Sequence, residues 1–174
     1  MGDRIVIAFH RNGEYIISLY DHWGGDIFYN KKKRKELEEN IRKLRENSND
    51  FDNFLTMFIH WYREWRGFKP DEPYTIYLEH KPAIPDHSII CYDYSKDRFW
   101  EEEIEEFYRK RFGDVLVEVK GMPRFLIKQR GLISETNTLA LKEVLGKLRK
   151  YVEVKVYQCK DWRCDEDITE QFLP

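Results

Sequence analysis

No apolar run in this 174-residue chain approaches the ~20 residues that cross a bilayer; Ile5-Val6-Ile7-Ala8-Phe9 and Ser88-Ile89-Ile90-Cys91 have the length of buried strands. An excess of one charge is missing as well. The 30 Lys and Arg nearly balance the 32 Asp and Glu, leaving a formal charge of -2, so no whole-protein field draws the chain to nucleic acid or an anionic membrane. Any such contact has to come from a local patch. Cysteine is scarce, and its 3 residues build no framework of paired bridges. Walker loops, dinucleotide fingerprints and nucleophile elbows are absent, so the common phosphate, cofactor and acyl-transfer signatures are excluded and no cofactor is expected. Met1-Gly2-Asp3-Arg4 leads into a strand without an apolar leader core, which points to a cytoplasmic protein with no membrane partner.

What is present is a chain of 21.3 kDa, 41% hydrophobic and 36% charged, able to bury a core of its own. One domain over residues 1–158 is expected, followed by a polar, loop-like tail over 159–174. The abundance of Lys, Glu, Arg, Ile and Tyr beside little Gln is the composition expected of a hyperthermophile, where an intracellular disulfide between Cys159 and Cys164 is compatible with the setting.

The N-terminal stretch holds the clearest element. Asn12-Gly13 separates two β-branched and aromatic runs and predicts a hairpin closed by a two-residue type I′ turn. Centring the turn there pairs Arg11 with Glu14, His10 with Tyr15, and so on to Arg4 with Asp21 and Asp3 with His22. Both faces are largely apolar, which predicts a central, doubly covered hairpin. Helical spacing follows over 31–47 (Leu37, Ile41, Leu44) and from Phe51 to Trp65 after the Asn47-Ser48-Asn49-Asp50 cap, with His60 off the apolar stripe. Strands are expected over 74–80 and 88–94, a helix from about Asp97, a strand pair around Gly121-Met122-Pro123, a helix over 134–150 on Leu141, Val144, Leu145 and Leu148, and a last strand on Val152, Val154 and Val156. The fold class is α+β: a mixed, mainly antiparallel sheet with about four helices, in the order ββααββαββαβ.

Chemistry is sought first at the open end of the hairpin. Asp3 beside His22 would fix an imidazole tautomer and free the other nitrogen as a base, with Asp21 as a further carboxylate. Arg4, Trp23, Gly24 and Gly25 are the ligand-binding candidates, the indole as a flat wall and the glycines for close approach. The same pairs also read as a register lock without chemistry.

On Met1-Gly2-Asp3-Arg4, Gly13-Glu14-Tyr15 and Leu19-Tyr20-Asp21-His22-Trp23-Gly24-Gly25, the first 25 or so residues resemble a set of uncharacterised archaeal, viral and plasmid-borne proteins that begin Met-Gly-x-Arg and continue to His-Trp-Gly-Gly. The resemblance implies an accessory protein of a mobile element or virus and carries no activity with it.

Lys31, Lys32, Lys33, Arg34 and Lys35 stand where a helix dipole disfavours cations, so they read either as a phosphate-contacting face, extended by Arg42, Lys43 and Arg45, or as a solvated surface. Cys159 and Cys164 lack the second ligand pair of a zinc site unless His80 and His87 are recruited, and no metal is expected. Asp86-His87 near Cys91 invites a Cys-His nucleophile, against the reading of Cys91 as a small core residue. The function expected is binding of protein or nucleic-acid backbone, with a hydrolase or nuclease at the hairpin end as the alternative.

Overall fold

In a computed structural model, which describes residues 2–67, 75–128, 131–160 and 163–173 and only the backbone over 131–139, Asn12 and Gly13 take φ of 54° and 80°. They join β1 (Ile5–Arg11) to β2 (Glu14–Asp21) in the expected hairpin. Arg11 faces Glu14 and His10 faces Tyr15, but the ladder then shifts: Phe9 faces Ile17, Ile7 faces Leu19 and Ile5 faces Asp21. Ile16 is the extra residue of a β-bulge. Every partner beyond it lies one position later than the uniform register, so Ile17 and Leu19 join Ile5, Ile7 and Phe9 on one face.

The chain divides into two compact units, Met1–Ile104 and Glu105–Pro174, where composition offered no linker and one domain was expected. In the first unit the hairpin is followed by α1 (Asp26–Tyr29), α2 (Lys31–Asn47), α3 (Phe51–Trp65), β3 (Ile76–Glu79), β4 (Ile89–Asp93) and β5 (Arg98–Glu102). The sheet order is β3-β2-β1-β4-β5, with β1 at its centre. β4 runs parallel to β1 and the other pairs are antiparallel.

Helix α2 starts on Asn30, whose side chain accepts from the amides of Lys32 and Lys33. Helix α3 starts on Asp50, which accepts from Asn53. Their apolar stripes, Leu37 and Ile41 on α2 and Phe51, Phe54, Phe58 and Tyr62 on α3, form one core with Ile5, Ile7, Phe9, Leu19, Ile90 and Tyr92. The Phe9 ring lies 4.9 Å from Phe58 and 5.7 Å from Phe54, in edge contacts. Val6, Ala8, Ile89 and Cys91, on the opposite face, are equally unexposed.

The helix expected from Asp97 begins instead at Ile104. Residues 98–102 are strand, because Phe99 and Trp100 pair with Tyr92 and Cys91 and the turn before them closes on Asp97 at a φ of 51°. Cross-strand aromatic packing outweighs the helix-like charge pattern there.

The second unit comprises α4 (Ile104–Phe112, from Glu105 onward), β6 (Val115–Val119), β7 (Phe125–Ile127), α5 (Gly131–Leu148), β8 (Val154–Lys160), β9 (Arg163–Asp167) and α6 (Thr169–Phe172). Its sheet is antiparallel in the order β7-β6-β8-β9. Val115, Val117, Val119, Val154, Val156 and Leu145 form its core. Val144, expected in that core, is 58% exposed. The stretch expected to be a loop-like tail supplies β9 and α6: Phe172 and Leu173 are buried, and Thr169 Oγ1 accepts from the Val156 amide at 3.0 Å. Among the described residues the six helices exceed the expected four through the short α1 and α6.

Cys159 and Cys164 face each other across β8 and β9 and are disulfide-bonded. Closing that short loop removes chain entropy from the unfolded state worth about 2 kcal/mol. A Cys159→Ser, Cys164→Ser variant should therefore denature earlier by about that amount, and the wild type should follow it in reductant. Coincident denaturation curves would contradict the bridge's role.

Candidate functional site

The one-residue shift at Ile16 decides what meets at the open end of the hairpin. The side-chain pairs Asp3 with His22 and Arg4 with Asp21 do not form. Asp3 and His22 share only a backbone bond, the Asp3 amide donating to the His22 carbonyl at 3.0 Å. The Asp3 carboxylate is instead 2.6 Å from Nε2 of His87. Arg4 donates through Nε and Nη2 to Asp86 at 3.1 and 3.0 Å, and its amide bonds the same carboxylate at 2.8 Å. Nδ1 of His22 lies 2.8 Å from the Tyr20 hydroxyl.

The segment 86–87 reaches this place because β4 is parallel to β1. Parallel neighbours start at the same edge, so the residues before Ile89 come beside those before Ile5. The sequence drew attention to His87 only for a metal or a Cys91 dyad. Neither forms: Cys91 is buried opposite Ala8, and among the described residues no group of three or more His, Cys, Asp or Glu gathers to hold a metal.

The His87 ring stacks on Phe28, 4.7 Å away at 14°, with the edge of Tyr29 at 5.3 Å and 83°. The twin glycines are packed, which overturns their reading as room for a ligand. A Cβ on Gly25 would fall on the Asp3 carboxyl, and one on Gly24 would come within 2.6 Å of the Ile5 side chain. The Gly25 amide donates to the Asp3 carbonyl at 2.8 Å. Trp23, by contrast, is open: 51% exposed, with its ring 4.9 Å from His22. Trp23, Tyr29 and Ile84 are the large apolar side chains of the first unit found exposed among the described residues: Trp23 follows β2, Tyr29 ends α1 and Ile84 lies in the segment leading to β4.

Asp21, a catalytic candidate, is wholly buried and saturated. It accepts from the Tyr62 hydroxyl at 2.7 Å, from Arg66 Nε at 2.9 Å and from the Trp23 amide at 2.9 Å. Arg66, just past the end of α3, also bonds Asp26 at 3.1 Å and the Trp23 carbonyl at 2.7 Å. Burial, and then the charge of Asp21, push the Tyr62 phenol well above its ordinary range. Burial raises Asp26, but Lys33 and Arg66 outweigh it and hold that carboxyl below the usual range. The cluster is a polar clamp and offers no open position to a substrate.

The basic run opens α2 and is largely spent inside the fold. Lys33 pairs with Asp26, Arg34 with Glu101 at 2.9 Å, and Lys35 approaches Glu39 at 3.9 Å. Arg34 also covers the Phe28 ring. Farther along the helix, Arg45 Nε donates to the Tyr94 carbonyl and Arg42 lies over Phe99. Lys31 and Lys32 remain exposed, without an ion pair among the described residues. The continuous five-cation face is thus reduced to these two ammonium groups and the exposed Lys35 beside Glu39.

Against protein-family models, curated proteins and solved structures the chain finds no match.

Two measurements check this arrangement. Removing one partner of a buried ion pair strands the other, so Arg66→Met should lower the folding free energy by about 3 kcal/mol or more in equilibrium denaturation; a loss under about 1 kcal/mol would deny the clamp. Hydrogen bonds from Arg4 hold the Asp86 carboxyl down to about 2, from an ordinary value of 3.8. Because the folded value is the lower one, the pair's contribution is present above the ordinary carboxyl range and fades as pH falls from about 4 to about 2. A carbon-13 titration should place Asp86 near 2 in the wild type and higher in Arg4→Met, still below its ordinary value because the amide of residue 4 goes on donating to it.

Proposed function

We propose that this protein acts by binding a macromolecular partner, protein or nucleic acid, through the open end of its N-terminal hairpin. The observation that carries the reading is the exposure of Tyr29, whose ring meets His87, and of Trp23, whose ring meets His22, at the end of the hairpin where Asp3 contacts His87. Large aromatic side chains left in water at the end of a sheet are the usual make-up of an interaction surface. The N-terminal resemblance supports an accessory role in an archaeal virus or plasmid, and the Lys- and Glu-rich composition supports a hyperthermophilic setting. No helix among the described residues is long and apolar enough to cross a membrane.

A hydrolase or nuclease is the second reading, favoured by one contact. Asp3 on Nε2 of His87 orients that ring, and among the described residues no hydrogen bond reaches its Nδ1, which leaves a nitrogen able to take a proton. The dyad replaces the Asp3, Asp21 and His22 set that the uniform register pointed to.

Exposed side chains contribute little to folding, so Trp23→Ala and Tyr29→Ala should stay within about 0.5 kcal/mol of wild-type stability. Each should weaken a partner isolated on the immobilised full chain, then purified and titrated, by about tenfold or more. Wild-type affinity in both variants would contradict the binding surface. Turnover that survives these changes and disappears in His87→Ala would move the assignment to the enzyme.

A further inference from the structure

We infer that the occupant of this surface is a single-stranded nucleic acid, its bases laid on Trp23 and Tyr29 and its phosphates passing Lys31 and Lys32. The inference rests on the binding reading above and names the partner.

The rings come first. Trp23 is 51% and Tyr29 73% exposed, and each meets a histidine ring at close to a right angle, 81° to His22 and 83° to His87. Neither is stacked face to face on another ring among the described residues, so each keeps a face for an unpaired base. A contact path joins them: Trp23 to His22, His22 through its carbonyl to Asp3, Asp3 to His87, and His87 to Tyr29. The two rings are thereby linked through the Asp3 segment at the open end of the hairpin.

The charges select the ligand. Most carboxylates around the rings are answered by cations within the fold, Asp86 by Arg4, Asp26 by Lys33 and Arg66, and Asp21 by Arg66, while Asp3 meets the His87 ring. Lys31 and Lys32 follow Tyr29 closely in the chain and carry positive charge that no described acid cancels. The helix they begin gains nothing from cations at that end, and its first amides are already met by the Asn30 side chain, so phosphate recognition here falls to the ammonium groups. Two free cations in a chain of net charge -2 suit a strand held mainly by stacking. They do not suit a duplex, whose bases are inaccessible and whose backbone needs a broad basic face.

The test is fluorescence anisotropy of the full chain with labelled oligonucleotides of about a dozen nucleotides, RNA and DNA, alone and annealed to complements. Single strands should bind, with duplexes at least about tenfold weaker. Trp23→Ala and Tyr29→Ala should each weaken single-strand binding by about tenfold while melting like the wild type. Replacing Lys31 and Lys32 together with Gln should flatten the dependence of log K on log salt by about 1.4, two phosphates at ~0.7 each. Absence of single-strand binding, equal binding of duplex, or indifference to both aromatic substitutions would overturn the inference. A purified protein partner that needs Trp23 or Tyr29 while oligonucleotides fail to bind would sink the nucleic-acid assignment and leave the binding surface standing. Failure of both kinds of ligand would remove the two together.

Discussion

A carboxylate with no water around it has to be met by donors on every side, and Asp21 is such a group at the end of β2. Its three donors come from different parts of the first unit: the Tyr62 hydroxyl within α3, Arg66 just beyond that helix, and the amide of Trp23 where the chain leaves the strand. Arg66 then reaches Asp26, which also takes Lys33 from the first turn of α2. One buried charge thereby holds the hairpin end, three helices and the exit turn in a single arrangement. The Asp3 segment lies against that turn through the Gly25 amide, so the clamp also determines where Asp3, Trp23 and Tyr29 sit.

Much of the fold was legible because local chemistry and tertiary need agreed. Asn12-Gly13, the Asn30 and Asp50 caps, and the aromatic stripe of α3 each mark an element that the packing also requires. Where they disagreed, packing prevailed. Residues 98–102 carry acids at helix-like positions yet form β5, because Phe99 and Trp100 have partners on β4. The closing residues look polar, but Phe172, Leu173 and Thr169 are enough to fix α6 on the second sheet.

The turn of the hairpin was legible and the side-chain pairing at its open end was not. Ile16 and Ile17 are identical, so no break in the apolar pattern marks the bulge, and one inserted residue is enough to send Asp3 away from His22 and Arg4 away from Asp21. Their actual partners, His87 and Asp86, lie far along the chain and arrive through a parallel strand pair, which spacing alone cannot reveal. The twin glycines were conspicuous for a reason of fold: Asp3 and Ile5 occupy the space a side chain would need. The surface proposed for binding comprises the two open aromatic rings at this end and the two unpaired lysines that follow Tyr29 in the chain.

The pairing of Asp3 with His87 is the point on which this picture of the open end turns, and nitrogen-15 spectroscopy of the imidazoles reads it directly. Replacing Asp3 with Ala should shift the ring-nitrogen signals of His87 strongly and leave those of His22, held by Tyr20, nearly unmoved. A large response at His22 with none at His87 would restore the uniform hairpin register and contradict the arrangement described for this surface.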